Sequence, residues 1–328
     1  MKRRSMIKNA LLGAATLGLP ADRLLACGSS GSGSPGGGFH KFSLGELELC
    51  VVSDGSLRLA PVQSFFAQQA DAGNVNQVLQ ESFRPVDAID LGLNVLVIRK
   101  GSRVFLVDCG IGETAGKGSG WLPASLSEAG ISIESVTDVV LTHGHFDHTG
   151  GLLNSKGELV FRNAKYYISK VEYNFWMAAT QDFSKCTLKD KALLQATTDN
   201  AKKIIRAISS KIQLLDATEK LFDCIRFEIA AGHTPGHLIV IVYSGGEELV
   251  HIADLVHSDI LVFRHPEWGF AGDTDFEEAI LTRKKVLEEL TQSRSGVLAY
   301  HLAWPGLGHV RKNDRGYEWV PSLFAHPG

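Results

Sequence analysis

The sequence lacks the features that hold nucleic acid or cross a membrane. Its 328 residues carry 33 Lys and Arg against 36 Asp and Glu, a formal net charge of −3. No basic field is therefore present for a phosphate backbone, and nucleic acid is not an expected partner. No internal run reaches the roughly eighteen apolar residues that a membrane span requires. Cysteine is scarce, with 5 in all, and none stands in a C-x-x-C spacing, which excludes the common thiolate zinc sites. There is no Gly-x-Ser-x-Gly elbow to present a nucleophilic serine, and no fixed-period repeat to suggest a solenoid. What is present is ordinary for a folded enzyme-sized chain: 44% apolar and 21% charged residues, enough for one large α/β domain or two small ones.

The amino terminus reads as a leader. Arg3-Arg4-Ser5-Met6-Ile7-Lys8 precedes a weakly apolar stretch from Ala10 to Leu19, the pattern of a twin-arginine export signal. Leu24-Leu25-Ala26-Cys27-Gly28 follows, similar to a lipobox, and then a Gly/Ser-rich run to Gly38 suited to a flexible tether. The expected organisation is a signal over residues 1–27, a tether over 28–38 and a folded domain over 39–328. The expected location is the periplasm. Lipidation of Cys27 and cleavage nearby without lipid both stay open, and a lipid anchor is the one membrane contact expected. An oxidising compartment would permit disulfides among Cys50, Cys109, Cys186 and Cys224 in any of three pairings; buried thiols are the simpler expectation.

Along the domain, Phe42 to Asp54 alternates as a half-buried strand does. Asn94–Arg99 and Val104–Asp108 flank Lys100-Gly101-Ser102 as a hairpin. Short apolar strands are predicted at Val136–Leu141, Lys165–Ile168, Ile225–Ala231, Ile239–Tyr243, Leu249–Ala253 and Gly296–Tyr300. Helical spacing covers Leu122–Gly130, Leu188–Leu215 and Glu277–Leu290. Such a mixture predicts an α/β fold of sheets covered by helices.

The histidines fall at particular places on this map. His143-Gly144-His145-Phe146-Asp147-His148 follows the strand ending at Leu141, and His233, Asp254 and His301 each follow a further strand. Strand ends of one sheet edge are where α/β proteins build ligand sites. Three histidines and an aspartate within six residues are a costly concentration of polarity unless a cation sits there. Imidazole and carboxylate donors suit zinc, with manganese, cobalt and iron also admissible. Seven donors exceed one tetrahedral site and fit two divalent ions, with a carboxylate such as Asp254 able to bridge. Asp108 could orient a ligand histidine or merely end its strand. His237 and His251 read as structural. Phe146, Trp121, Phe175 and Trp176 could line an apolar pocket, as could His309.

Thr142-His143-Gly144-His145-Phe146-Asp147-His148 resembles the signature of the metallo-β-lactamase superfamily. Leu106-Val107-Asp108-Cys109-Gly110, Gly232-His233-Thr234-Pro235-Gly236-His237, Asp254 and His301 continue the likeness, from about Phe42 to Pro321. The segment from Ala299 to Val310, with Gly316-Tyr317-Glu318-Trp319-Val320-Pro321, is similar to the methyl parathion hydrolase-like branch. The resemblance implies an αββα sandwich of two mixed sheets, with one ion on His143, His145 and His233, a second on Asp147, His148 and His301, and Asp254 between them. It implies a binuclear hydrolase acting on a lactone or carboxylic ester, with phosphotriester hydrolysis as the alternative, Asp147 and Asp254 as catalytic carboxylates, a lid over about Glu172 to Cys186, and a homodimer. A mononuclear iron oxidoreductase of the same fold, which would leave His148 and His301 without metal, and a non-catalytic binding lipoprotein are the readings from other classes.

Overall fold

A computed structural model describes residues 38–113, 118–216 and 219–323. The expected signal over 1–27 and nearly all of the tether over 28–38 lie outside the described residues. Among the described residues, fourteen strands form two seven-stranded sheets, each with its strands in chain order. The first holds β1 (Phe39–Leu44), β2 (Leu47–Leu59), β3 (Ile89–Lys100), β4 (Arg103–Val107), β5 (Asp138–Val140), β6 (Lys165–Ser169) and β7 (Ile212–Leu215). The second holds β8 (Lys220–Leu221), β9 (Ile225–Ile229), β10 (Leu238–Ser244), β11 (Glu247–His251), β12 (Gly296–Leu298), β13 (Leu307–Asn313) and β14 (Gly316–Pro321). β1 to β4 pair antiparallel and β4 to β7 parallel; in the second sheet only β11 and β12 are parallel. Both sheets are thus mixed.

The period-2 rule sorts side chains into layers. Leu96 and Ile98 of β3 join Val107, Leu238, Val240 and Leu298 in the core between the sheets. Their neighbours Val95 and Val97 point the other way, onto the helices Leu122–Glu128 and Lys191–Ile208 through Leu126, Ile204, Ile205 and Ile208. On the far side, Ile239, Ile241 and Val297 pack on Val286, Leu287 and Leu290 of the helix Phe276–Ser293. Each such side chain contributes about 1.5–3 kcal/mol by leaving water. The result is helix, sheet, sheet, helix: the αββα sandwich that the sequence predicts.

Two local expectations need correction. Phe42–Asp54 is not one strand. The chain turns at Gly45-Glu46, where Gly45 has φ +54 and a Cβ would meet Ser244 Oγ at 2.6 Å. Leu188–Leu215 is α-helical over Lys191–Ile208, started by Asp190, whose side chain accepts from Ala192 N and Leu193 N, and followed by a 3-10 turn at Ser209–Lys211. Ile212–Leu215 instead pairs parallel with β6, a tertiary preference that helical spacing does not reveal. The hairpin at Gly101-Ser102 is as predicted, with Lys100 facing Arg103 and Gly101 at φ +60. The four described cysteines are all free, three of them buried.

Candidate metal centre

The ends of β4, β5, β9, β11 and β12 deliver Asp108, His143, His233, Asp254 and His301 to one edge of the sandwich. The one-turn helix Phe146–Thr149 adds Asp147 and His148. The donor atoms gather into two groups, His143/His145/His233/Asp254 and Asp147/His148/Asp254/His301, each with its ligand atoms within 4.8 Å of one another. In the first group the three rings are spaced almost equally, with centroids 4.6, 4.7 and 4.6 Å apart and planes at 81°, 83° and 88°. Their nitrogens converge: His233 Nε2 lies 3.2 Å from His143 Nε2 and 2.9 Å from His145 Nδ1. Asp254 Oδ2 lies 3.1 Å from His233 Nε2 and 3.7 Å from His143 Nε2. Ligands about 2.0–2.1 Å from a tetrahedral zinc would stand about 3.4 Å apart, close to these separations. In the second group His148 Nε2 is 2.8 Å from Asp254 Oδ1, and His301 Nε2 is 3.4 Å from Asp147 Oδ2.

The polar atoms left over support the same assignment. His148 Nε2 and Asp254 Oδ1 are buried and 2.8 Å apart, yet neither makes a hydrogen bond. Unpaired buried donors and acceptors cost about 1–3 kcal/mol each, and a divalent cation shared by both would satisfy them. The donor set, nitrogen and carboxylate oxygen without thiolate, fits two borderline divalent ions.

Outer partners fix four of the five rings. His148 Nδ1 is 2.8 Å from Asp108 Oδ2, His233 Nδ1 2.9 Å from Asp273 Oδ1, and His301 Nδ1 2.9 Å from the Gly92 carbonyl. Each contact directs the Nε2 lone pair inward. The Thr142 hydroxyl donates to Asp108 and lies 3.0 Å from His143 Nδ1. Asp108 thus holds both His148 and Thr142 and does more than end a strand. The buried Arg283 in turn donates to Asp273 at 3.1 Å. His237 is structural: its Nδ1 faces the Ala230 carbonyl, and its Nε2 accepts the backbone N–H of Asp254. His251 accepts from Ala253 N. Tyr300 stacks on His148 at 4.0 Å and donates to the Asp147 carbonyl.

Electrostatics set the protonation of these side chains. Burial drives His143 and His145 well below the ordinary imidazole range. Burial also opposes a proton on His148, but Asp254, Asp108 and Asp147 outweigh it and raise the pKa well above normal. At His233 burial is likewise outweighed, chiefly by Asp254 and Asp273, and the pKa rises to about 9. Burial would raise Asp254; the surrounding imidazoles hold it well below the usual carboxylate range. Divalent ions bind neutral imidazole, so binding there competes with protons on these rings.

A cavity of about 240 Å³ opens over Asp147, Asp254 and His301, with walls that include Leu57, Leu91, Phe146, Leu194 and Phe270. Of the aromatic residues expected there, only Phe146 lines it. Trp176 is fully buried and donates to Glu172 Oε1, and Phe175 packs against the core beside it. Trp121 precedes the helix Leu122–Glu128 and does not reach the cavity. His309 is exposed on β13 and borders a different cavity, with Thr291 and Arg294. The expected lid over Glu172–Cys186 is also revised. Its first part is the helix Lys170–Met177, in which Glu172 is fully buried, and Phe183 is the residue of the segment that meets the cavity. Sequence reasoning missed Asp273, Glu172 and His257. His257 lines the cavity with Nε2 3.1 Å from Asp254 Oδ2 and its ring stacked on Phe270. Its place three residues after Asp254 was a readable signal; Asp273 and Glu172 had none nearby.

The model of the family described as "Metallo-beta-lactamase superfamily" matches residues 89–297. Among solved structures, AidC, a dizinc quorum-quenching lactonase in complex with a product, is 38% identical. That likeness covers 89% of this chain and 99% of that one, with a TM-score of 0.86. The hydrolase AbOPH, of the beta lactamase superfamily, is 26% identical over 88% of this chain and 99% of its own, with a TM-score of 0.80. A probable metal-dependent hydrolase from Staphylococcus aureus shares the fold at 19% identity and a TM-score of 0.68, over 87% of this chain and 100% of its own. No curated protein matches the sequence.

Proposed function

The chain belongs to the metallo-β-lactamase superfamily, and from that premise we propose that it is a dizinc lactonase that opens lactones bearing an apolar substituent. The observation that carries the reading is two complete donor sets sharing Asp254 at the floor of an apolar cavity. The 38% identity to a dizinc lactonase supports the same substrate class.

When bound, two divalent ions supply Lewis acidity toward the scissile carbonyl and acidify a water into the neutral range. The chain's own residues do the rest. Leu57, Leu91, Leu194 and Phe270 hold the apolar substituent and exclude bulk water. Asp147 and Asp254 both border the cavity. Their oxygens accept a hydrogen bond from the nucleophilic water and aim it at the carbonyl carbon. As the water oxygen bonds to that carbon, the ring C–O bond breaks. Asp147 takes the water's proton and returns it to the departing ring oxygen, giving a hydroxy acid. No protein nucleophile enters this scheme.

Convergence of His148 and His301 on Asp254 favours the binuclear reading over a single-iron oxidoreductase. The test is hydrolysis by the zinc-loaded protein of an acylated lactone, an aryl ester and a phosphotriester in parallel. Ring opening fastest on the lactone supports the proposal. Failure to open any lactone or cleave any aryl ester refutes it. Export by the twin-arginine leader belongs to the same proposal and is tested by cell fractionation.

A further inference from the structure

Glu172 is fully buried, does not line the cavity, and sits on a helix that contributes no metal ligand. Its carboxylate nevertheless touches both loops that carry the first ion's histidines. Oε1 accepts the backbone N–H of Gly144, between His143 and His145, at 2.9 Å, and the indole N–H of Trp176 at 2.5 Å. Oε2 accepts the Thr234 hydroxyl at 2.7 Å and the backbone N–H of Gly236 at 3.0 Å, just beyond His233. Ser169, at the start of the same helix, accepts from Glu172 N and donates to the Gly236 carbonyl. The fit leaves no slack. A Cβ on Gly144 would lie 2.3 Å from Trp176 Nε1, and one on Gly236 2.2 Å from Glu172 N. The second ion's rings are anchored elsewhere, His148 by Asp108 and His301 by the Gly92 carbonyl.

We propose that Glu172 is a positioning residue dedicated to the first metal site: one buried carboxylate fixes the distance between the His143/His145 loop and the His233 loop, and so sets that site's affinity. The inference rests on the two-ion reading above. Four donors converge on the two oxygens, so an amide in place of the carboxylate must turn an NH2 toward N–H or O–H donors. Charge-assisted bonds of this kind are about twice as strong as neutral ones, and loss of an outer partner typically costs about 10–100-fold in metal affinity.

The experiment measures zinc affinity by competition with a chromophoric chelator, in two backgrounds. His301→Ala disables the second site, and His145→Ala disables the first. Glu172→Gln is expected to weaken zinc about 10–100-fold in the His301→Ala background and to leave affinity within a few-fold in the His145→Ala background. Asp108→Asn, which touches His148 directly and His143 through Thr142, should weaken zinc in both backgrounds and so marks the behaviour of a residue that serves both sites. Thr234→Val removes a single donor and should give a smaller loss confined to the first site; it decides the matter should Glu172→Gln not fold. Equal weakening in both backgrounds, as a purely structural role would give, overturns the proposal, and so does no weakening in either. Wild-type protein that binds only one zinc would refute the two-ion reading instead, and the effect of Glu172→Gln on that one ion would still decide the role of Glu172.

Discussion

Asp273→Asn separates the structural from the metal-directed share of a buried carboxylate. Asp273 is fully buried, 2.9 Å from His233 Nδ1 through one oxygen and 3.1 Å from Arg283 through the other. Burial would raise its pKa, but His233 and Arg283 outweigh that and hold it low, so it is ionised. Asparagine retains one acceptor and must set an NH2 against either His233 or Arg283. Arg283 then keeps only the carbonyls of Leu255 and Pro266, without a counter-charge. Breaking a buried ion pair in this way costs about 3–5 kcal/mol, or a fall of roughly 5–8 °C in Tm for a domain of this size. A loosened His233 costs a further factor of about 10–100 in metal affinity. That second loss reads as about 1.4–2.7 kcal/mol less stabilisation by a fixed excess of zinc. The assay is thermal unfolding of wild type and variant, each with and without zinc. The metal-free forms should already differ, and zinc should widen the gap. A variant with wild-type Tm and a wild-type zinc increment would show that Asp273 anchors neither Arg283 nor His233.

Gly144→Ala, whose Cβ would press on Trp176 Nε1 at 2.3 Å, should cost about 1–3 kcal/mol and lower zinc content, read by urea titration and elemental analysis. In the apolar cavity each added methylene is worth about 0.8 kcal/mol, near fourfold in kcat/KM. A hexanoyl-substituted lactone should therefore exceed its butanoyl counterpart by roughly 15-fold until the cavity fills, and a flat chain-length profile would contradict the assignment. Burial raises Asp54 from 3.8 to about 6, although Leu122 N and Ile111 N both donate to it. An acid with a raised folded-state pKa favours folding below its unfolded pKa, and that contribution is lost as pH rises through the folded value. Between pH 4 and 7 the stability of metal-free Asp54→Asn should gain on wild type by on the order of 3 kcal/mol; a pH-independent difference would count against this.

The site was legible where its chemistry is local. His143, His145, Asp147 and His148 crowd into six residues, and His233, Asp254 and His301 each follow a short apolar strand, so position and residue type together point to metal. The layers were legible for a similar reason: the hairpin signal at Lys100-Gly101-Ser102 and helical spacing over Glu277–Leu290 are properties of a few consecutive residues. What was hidden depends on packing between distant segments. Asp273 reaches back 40 residues to His233, and Glu172 reaches forward 62 residues to Thr234; nothing near either one marks it. The aromatic pocket was misjudged because residue type does not say which face of the helix Lys170–Met177 is turned inward, and Trp176 proves to be core. β7 was hidden because four residues continuing a helical pattern acquire a strand only through β6.

The proposed activity is lactone opening by two metal sites that share Asp254. Its most direct test is elemental analysis of the purified protein, paired with lactone hydrolysis before chelation, after it, and after zinc is restored. The account predicts two zinc ions per chain, with activity lost on chelation and recovered with zinc. One iron per chain with no hydrolysis, or hydrolysis untouched by chelation, would contradict it.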